Sequence, residues 1–147
     1  MPEIVVSRLT VPETRPLRQA VLRPHMTVEA MAEAERADAV AYGASIDGDV
    51  VAVGLVGPDG GPGAWRVRGM ATAPDARGQG AGAAVLEALL EYADAHGATR
   101  VWCHARIRAL SLYRRAGFTA VSEEFELPHI GPHVVMERFL TRARCSG

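Results

Sequence analysis

The sequence predicts an α/β (α+β) fold built on a mostly antiparallel sheet of about six to seven strands, and three observations lead to it. The β-rich runs at residues 40–46 and 50–56 flank Asp47-Gly48-Asp49, the signal of an antiparallel hairpin closed by a glycine turn. Across residues 83–96 the apolar Val85, Leu86, Leu89, Leu90 and Ala93 share one helical face, while Glu87, Glu91 and Asp94 share the other. Three alternating glycines, Gly78, Gly80 and Gly82, join the strand at residues 65–72 to that helix.

Taken in order, residues 4–9 read as a first strand and residues 13–22 as a helix with Leu17, Val21 and Leu22 on its apolar face, stopped by Pro24. Residues 27–37 contain good helix formers but a thin apolar face, which fits a helix or a mobile loop equally. After the hairpin, residues 57–63 form a connecting loop with Pro58 and Pro62, and Pro74 closes the strand at residues 65–72. Gly97 stands where a left-handed helix C-cap belongs. Residues 99–104 form a short buried strand and residues 108–116 a helix ended by Gly117, and strands at 118–125 and 134–139 complete the sheet. With no internal repeat or linker, residues 1–147 read as one domain, long enough to bury a core without disulfides or metals.

The formal net charge of −1 and the 48% hydrophobic content argue against disorder and against a polyanionic partner, so no nucleic-acid binding is expected. All 16 basic residues are arginine, which excludes any mechanism that needs lysine, such as a Schiff base or a Walker A phosphate contact. Cys103 and Cys145 lie far apart without metal-ligand spacing, the N-terminus lacks the basic and apolar regions of a signal peptide, and no run is long enough to span a bilayer. A reduced, cytoplasmic setting without membrane partners is expected. The oligomeric state stays open, a homodimer included.

The glycine run carries the chemistry. Without side chains at positions 78, 80 and 82 the backbone N–H groups can converge on phosphate oxygens, the positive end of the following helix dipole attracts them, and Arg77 adds a full charge. A Gly-rich connector without a ligand is the plain alternative. A nicotinamide-binding fingerprint is another, since Gly78, Gly80 and Ala83 fit GxGxxA. That site needs an acid at the end of the next strand, where Trp102-Cys103-His104 has none, and it normally follows the first strand of a βαβ unit.

Arg77-x-x-Gly80-x-Gly82 resembles the (Gln/Arg)-x-x-Gly-x-(Gly/Ala) signature of the GNAT superfamily of N-acetyltransferases. Met70-Ala71-Thr72-Ala73-Pro74 is similar to the superfamily's fourth strand and its exit. Ala109-Leu110-Ser111-Leu112-Tyr113-Arg114-Arg115-Ala116-Gly117-Phe118 is similar to its later A-x-x-(F/L)-Y-x-x-x-G-F element. The resemblance covers about half the chain, from Trp65 to Met136. It implies a mixed sheet with helices on both faces, whose fourth and fifth strands splay apart to admit the pantetheine arm of acetyl-CoA. It further implies that the backbones of Met70, Ala71 and Thr72 pair with pantetheine amides, that Arg77, Gly78, Gln79, Gly80, Ala81 and Gly82 bind the pyrophosphate, and that no metal is required. Where many relatives carry Asn, this chain has His104 and Arg106, which can still donate hydrogen bonds to the cofactor.

Acetyl transfer to an amine needs a neutral nucleophile, a stabilised oxyanion and a proton for the departing thiolate. Tyr113 matches the family tyrosine that faces the cofactor sulfur, and its phenol suits the acid role; a packed structural tyrosine is the alternative. A backbone N–H at Met70 or Ala71 is expected to meet the oxyanion. The base candidates are His133, His104, Glu123, Glu124 and Glu126. His133 is preferred because Gly131-Pro132-His133-Val134-Val135-Met136 resembles the ending of a small bacterial branch of the superfamily, and an imidazole titrates near neutrality. The carboxylates are suited instead to attracting a cationic amine. A zinc site from His129, His133 and Cys103 lacks a close ligand pair. The leading reading is an acetyl-CoA-dependent N-acetyltransferase acting on an unidentified primary amine of a small molecule or peptide by direct transfer in a ternary complex; a non-catalytic acyl-CoA-binding module is the alternative.

Overall fold

A computed structural model describes residues 3–34, 36–128 and 130–140; His129 and Cys145 lie outside them. The elements run β1 (Ile4–Leu9), α1 (Val11–Leu22), α2 (Val28–Ala34), β2 (Val40–Ile46), β3 (Asp49–Pro58), β4 (Ala64–Thr72), α3 (Ala81–Ala95), β5 (Arg100–Arg106), α4 (Leu110–Arg115), β6 (Thr119–Ala120), β7 (Phe125–Leu127) and β8 (Gly131–Phe139). The strands form one sheet in the order β1-β2-β3-β4-β5-β8-β6, with β7 also paired to β8. Every pairing is antiparallel except β4 with β5.

The sheet separates two helical layers. On β3 the side chains alternate, so Ala52 and Val56 face the main core with Val85, Leu86 and Leu89 of α3, while a Cβ at Gly54 would collide with Met70 and press on Leu89 and Val85. Leu55 points the other way, toward α1: a Cβ at Gly69 would lie 2.7 Å from Leu55 and 2.9 Å from Arg18. Leu86 and Leu89 are fully buried, and truncating either to alanine should cost about 2–5 kcal/mol.

Local chemistry sets the helix boundaries. Thr10 and Glu13 form a reciprocal capping box, which starts α1 two residues before the predicted Glu13. The undecided stretch after Pro24 contains helix α2, begun by a bond from the Ala30 amide to Thr27 Oγ1 and anchored by the buried Met31. Gly97 ends α3 at φ +93°, with Ala98 N–H donating to Ala93 O and Gly97 N–H to Asp94 O, a Schellman closure.

The predicted strand at 118–125 divides into β6 and β7, which raises the strand count among the described residues to eight. Val121 N–H still bonds to Val135 O, but Val135 N–H turns to the Ser122 hydroxyl, so a side chain replaces the backbone acceptor and the ladder stops. Phe118 is no strand residue; it packs in the core, edge-on to Tyr113. The predicted loop at 57–63 shortens to residues 59–63, because Gly57 and Pro58 still pair with Arg66 and Trp65.

Candidate active site

β4 and β5 are in register only from Ala64–Arg66 to Arg100–Trp102. Beyond that seam β4 stays with β3 and β5 with β8, and a cleft of about 770 Å³ opens between them. Thr72 and the 76–83 segment line it, together with Arg68, His104, Arg106, His133, Leu22 and Arg23.

Along this cleft α3 starts with its amides open. Gly80, the N-cap, sits at φ +90° with no side-chain cap, and the first turn holds no acidic residue. The N–H groups of a helix's first turn have no intrahelical acceptor, so Ala81, Gly82 and Ala83 offer donors to the cleft they line. Gly78, at φ +82°, also requires glycine, and a Cβ on Gly82 would come within 3.0 Å of Thr72 Oγ1. Arg77 and Gln79 are exposed along this rim. This cradle suits a phosphate group.

In the wall of the cleft, Gly69 and Met70 together oppose Gly54, a β-bulge with Gly69 at φ +63°. Such a bulge interrupts the ladder and leaves one residue unpaired. Ala71 returns to the ladder opposite Val53, is buried, and does not line the cleft, unlike Met70 and Thr72. The bulge thus leaves backbone at Gly69–Met70 outside the ladder with β3.

Tyr113 lines the cleft while 5% exposed. Burial and the neighbouring Cys103, with which it shares a hydrogen bond, hold the phenol well above its usual pKa, so it keeps its proton. Burial also pushes the Cys103 thiol up to about 12, which makes it inert as a nucleophile.

His104 and His133 are prepared for different roles. Arg66 Nη2 lies 3.1 Å from His104 Nδ1, and since a guanidinium only donates, that nitrogen must accept. His133 Nδ1 lies 2.8 Å from the Gly131 carbonyl, so this nitrogen carries the hydrogen and Nε2 keeps its lone pair. Both pKa values are depressed: by burial first and then by Arg66 for His104, and by burial and then by Arg106 and Arg23, against the Gly131 bond, for His133. His133 is thus a buried, neutral imidazole with a free acceptor nitrogen.

Asp59 organises the arginines around them. It accepts from Arg68 Nη2 at 2.9 Å, lies 3.8 Å from Arg66 Nη1, and its carbonyl accepts from Trp102 Nε1 at 2.8 Å. Arg66 stacks over Trp102 at 4.7 Å, with a buried Nε that has no partner. Phe125 packs between the two imidazoles, 5.2 Å from His104 and 6.1 Å from His133.

Of the expected site residues, Met70, Thr72, the 77–82 run, His104, Arg106, Tyr113 and His133 all meet at the cleft. Glu123, Glu124 and Glu126 are exposed and do not line it; Glu126 acts on His133 only as a nearby negative charge. Among the described residues no group of three or more His, Cys, Asp or Glu could hold a metal, and no helix is long and apolar enough to cross a membrane. Asp59, Arg66, Arg68 and Gly69 were missed. Arg66 and Arg68, two charges in alternation on a strand flanked by buried ones, were the available signal.

Residues 8–118 match the acetyltransferase (GNAT) family. The chain belongs to that family. It is an N-acetyltransferase by the same token, and the family uses acetyl-CoA. An uncharacterized N-acetyltransferase of Bacillus subtilis (strain 168), YitI, is 30% identical over 146 residues, covering 95% of this chain and 98% of its own. The ribosomal-protein-S18-alanine N-acetyltransferase of Escherichia coli shares the fold with a TM-score of 0.77 at 17% identity, covering 95% of each chain. A Bacillus subtilis acetyltransferase solved in complex with CoA superposes with a TM-score of 0.69 at 17% identity, over 96% of this chain and 100% of that one.

Proposed function

We propose that this acetyltransferase takes acetyl-CoA as its donor and passes the acetyl group directly to a primary amine within a ternary complex. One observation carries the reading: a single cleft joins the uncapped start of α3 to the free acceptor nitrogen of His133, with the protonated Tyr113 on its wall. Arg77 and the amides from Gly78 to Gly82 hold the pyrophosphate, and the backbone of β4 at Met70 and Thr72 aligns the pantetheine arm as an added strand would be aligned. The thioester supplies the acetyl group.

His133 Nε2 takes the proton from the attacking amine, through water where the reach demands it. A backbone amide of the Gly69–Met70 bulge meets the carbonyl oxygen as it gains charge. The Tyr113 phenol donates to the leaving thiolate. We place the reaction in the cytoplasm, in keeping with the free thiol of Cys103.

The test is thiol release from acetyl-CoA with a broad panel of amines, alongside the melting temperature with and without acetyl-CoA. Release with at least one amine and a raised melting temperature are expected. A raised melting temperature with no release from any amine would instead favour a non-catalytic acyl-CoA-binding module, which the engagement of His104 by Arg66 and of Arg106 by Leu22 O also fits.

A further inference from the structure

Resting on that reading, we infer that the acceptor amine carries a carboxylate, received by the guanidinium groups of Arg23 and Arg106 where the end of α1 meets the cleft. Arg23 Nη1 and Arg106 Nη2 both donate to the Leu22 carbonyl, at 3.2 and 3.1 Å. One carbonyl at the end of α1 thus gathers two cations from distant parts of the sequence. Both are partly buried, and among the described residues neither meets a carboxylate.

Other arginines show the contrast. Arg100 has Glu137 at 2.8 Å, and Arg68 has Asp59 at 2.9 Å. The charges acting on Arg23 are Arg106 and Arg18, and those acting on Arg106 are Arg108 and Arg77, all of one sign. Asp59 is already engaged by Arg68 and Arg66, and Glu126 is exposed. Two like charges brought together out of water cost free energy unless an anion fills the space between them. Each guanidinium has five N–H groups and gives one to Leu22, so planar forks remain for the two oxygens of a carboxylate.

The amine then lies beside His133, whose ladder partner is Arg106. The same positive field favours the neutral amine over the ammonium, as attack requires, and it works against polyamines. Phosphate chemistry already has its own cradle in the amides at the start of α3.

Matched acceptors test this under saturating acetyl-CoA: amino acids, their carboxamides, the decarboxylated amines and the aminophosphonates. The acid should exceed its amide in kcat/KM by at least about tenfold, the worth of a charge-assisted contact. In R23Q that ratio should collapse toward one, with acetyl-CoA KM little changed, and R23K should restore part of it. Amides or polyamines turned over as well as the acids would overturn the inference while leaving the acetyltransferase reading intact; no release from any amine would defeat that reading itself. A preference for the aminophosphonate would overturn the carboxylate assignment. An unchanged acid-to-amide ratio in R23Q with a raised acetyl-CoA KM would return these arginines to the donor's phosphates.

Discussion

Arg66 donates to His104 Nδ1 at 3.1 Å, and this bond fixes the imidazole as the neutral tautomer with its hydrogen on Nε2. Nitrogen NMR of the ring should show that tautomer near neutral pH, and a hydrogen on Nδ1 would contradict the geometry. The same two histidines link stability to acid. The folded chain binds their protons at lower pH than the unfolded chain, whose histidines titrate near about 6.5. Their contribution is therefore full above that value and declines as the pH falls below it. Thermal melts should show a fall in melting temperature from pH 7 to pH 5.5 that weakens when both histidines are replaced by glutamine.

His133 should govern the acid limb of the rate profile. Because burial, Arg106 and Arg23 depress its pKa, kcat/KM should rise with pH through an inflection below about 6.5. H133Q should lower kcat by about 10²–10⁴-fold and abolish that inflection. A retained inflection would assign the limb to another group.

Tyr113 and Cys103 can be separated by kinetics. Y113F should lower kcat more than it weakens acetyl-CoA binding, since the phenol is needed only as the thiolate departs. An unchanged rate would remove its acid role. Cys103, held near 12, should resist alkylation in the folded protein at pH 8, and C103A should keep most of the activity.

Gly80 separates conformation from space. A Cβ there would meet only Ile4, at 3.8 Å, yet the backbone sits at φ +90°. G80V should therefore act through strain, costing about 1–3 kcal/mol. It should also abolish the acetyl-CoA-induced rise in melting temperature. A retained rise would show that the amides of this turn do not hold the donor.

Much of the fold was legible because its signals were local. The Asp47-Gly48-Asp49 turn, the apolar face from Val85 to Ala93 and the cap at Gly97 each act within a few residues. The glycine run was legible because positive φ leaves few choices of residue. Thr10 and Glu13, three residues apart, carry a capping-box pattern of the same local kind. The split of β6 from β7 was not readable, since it depends on Ser122 intercepting an amide thirteen residues away. The arginine and histidine roles belong to pairing across the sheet: only the register of Arg106 with His133, and the arrival of Leu22 from another layer, bring those charges together.

The seam of Ala64–Arg66 against Arg100–Trp102 also has a mechanical consequence. Among the described residues, three parallel residue pairs are the only ladder between β1–β4 and β5–β8, so few backbone bonds hold the sheet across the gap. A donor laid into the gap would complete the binding, coupling occupancy to rigidity. Amide exchange in β4 beyond Val67 and in β5 beyond Trp102 would then slow together, and the protein would sense its own loading as stiffness before any acceptor arrives.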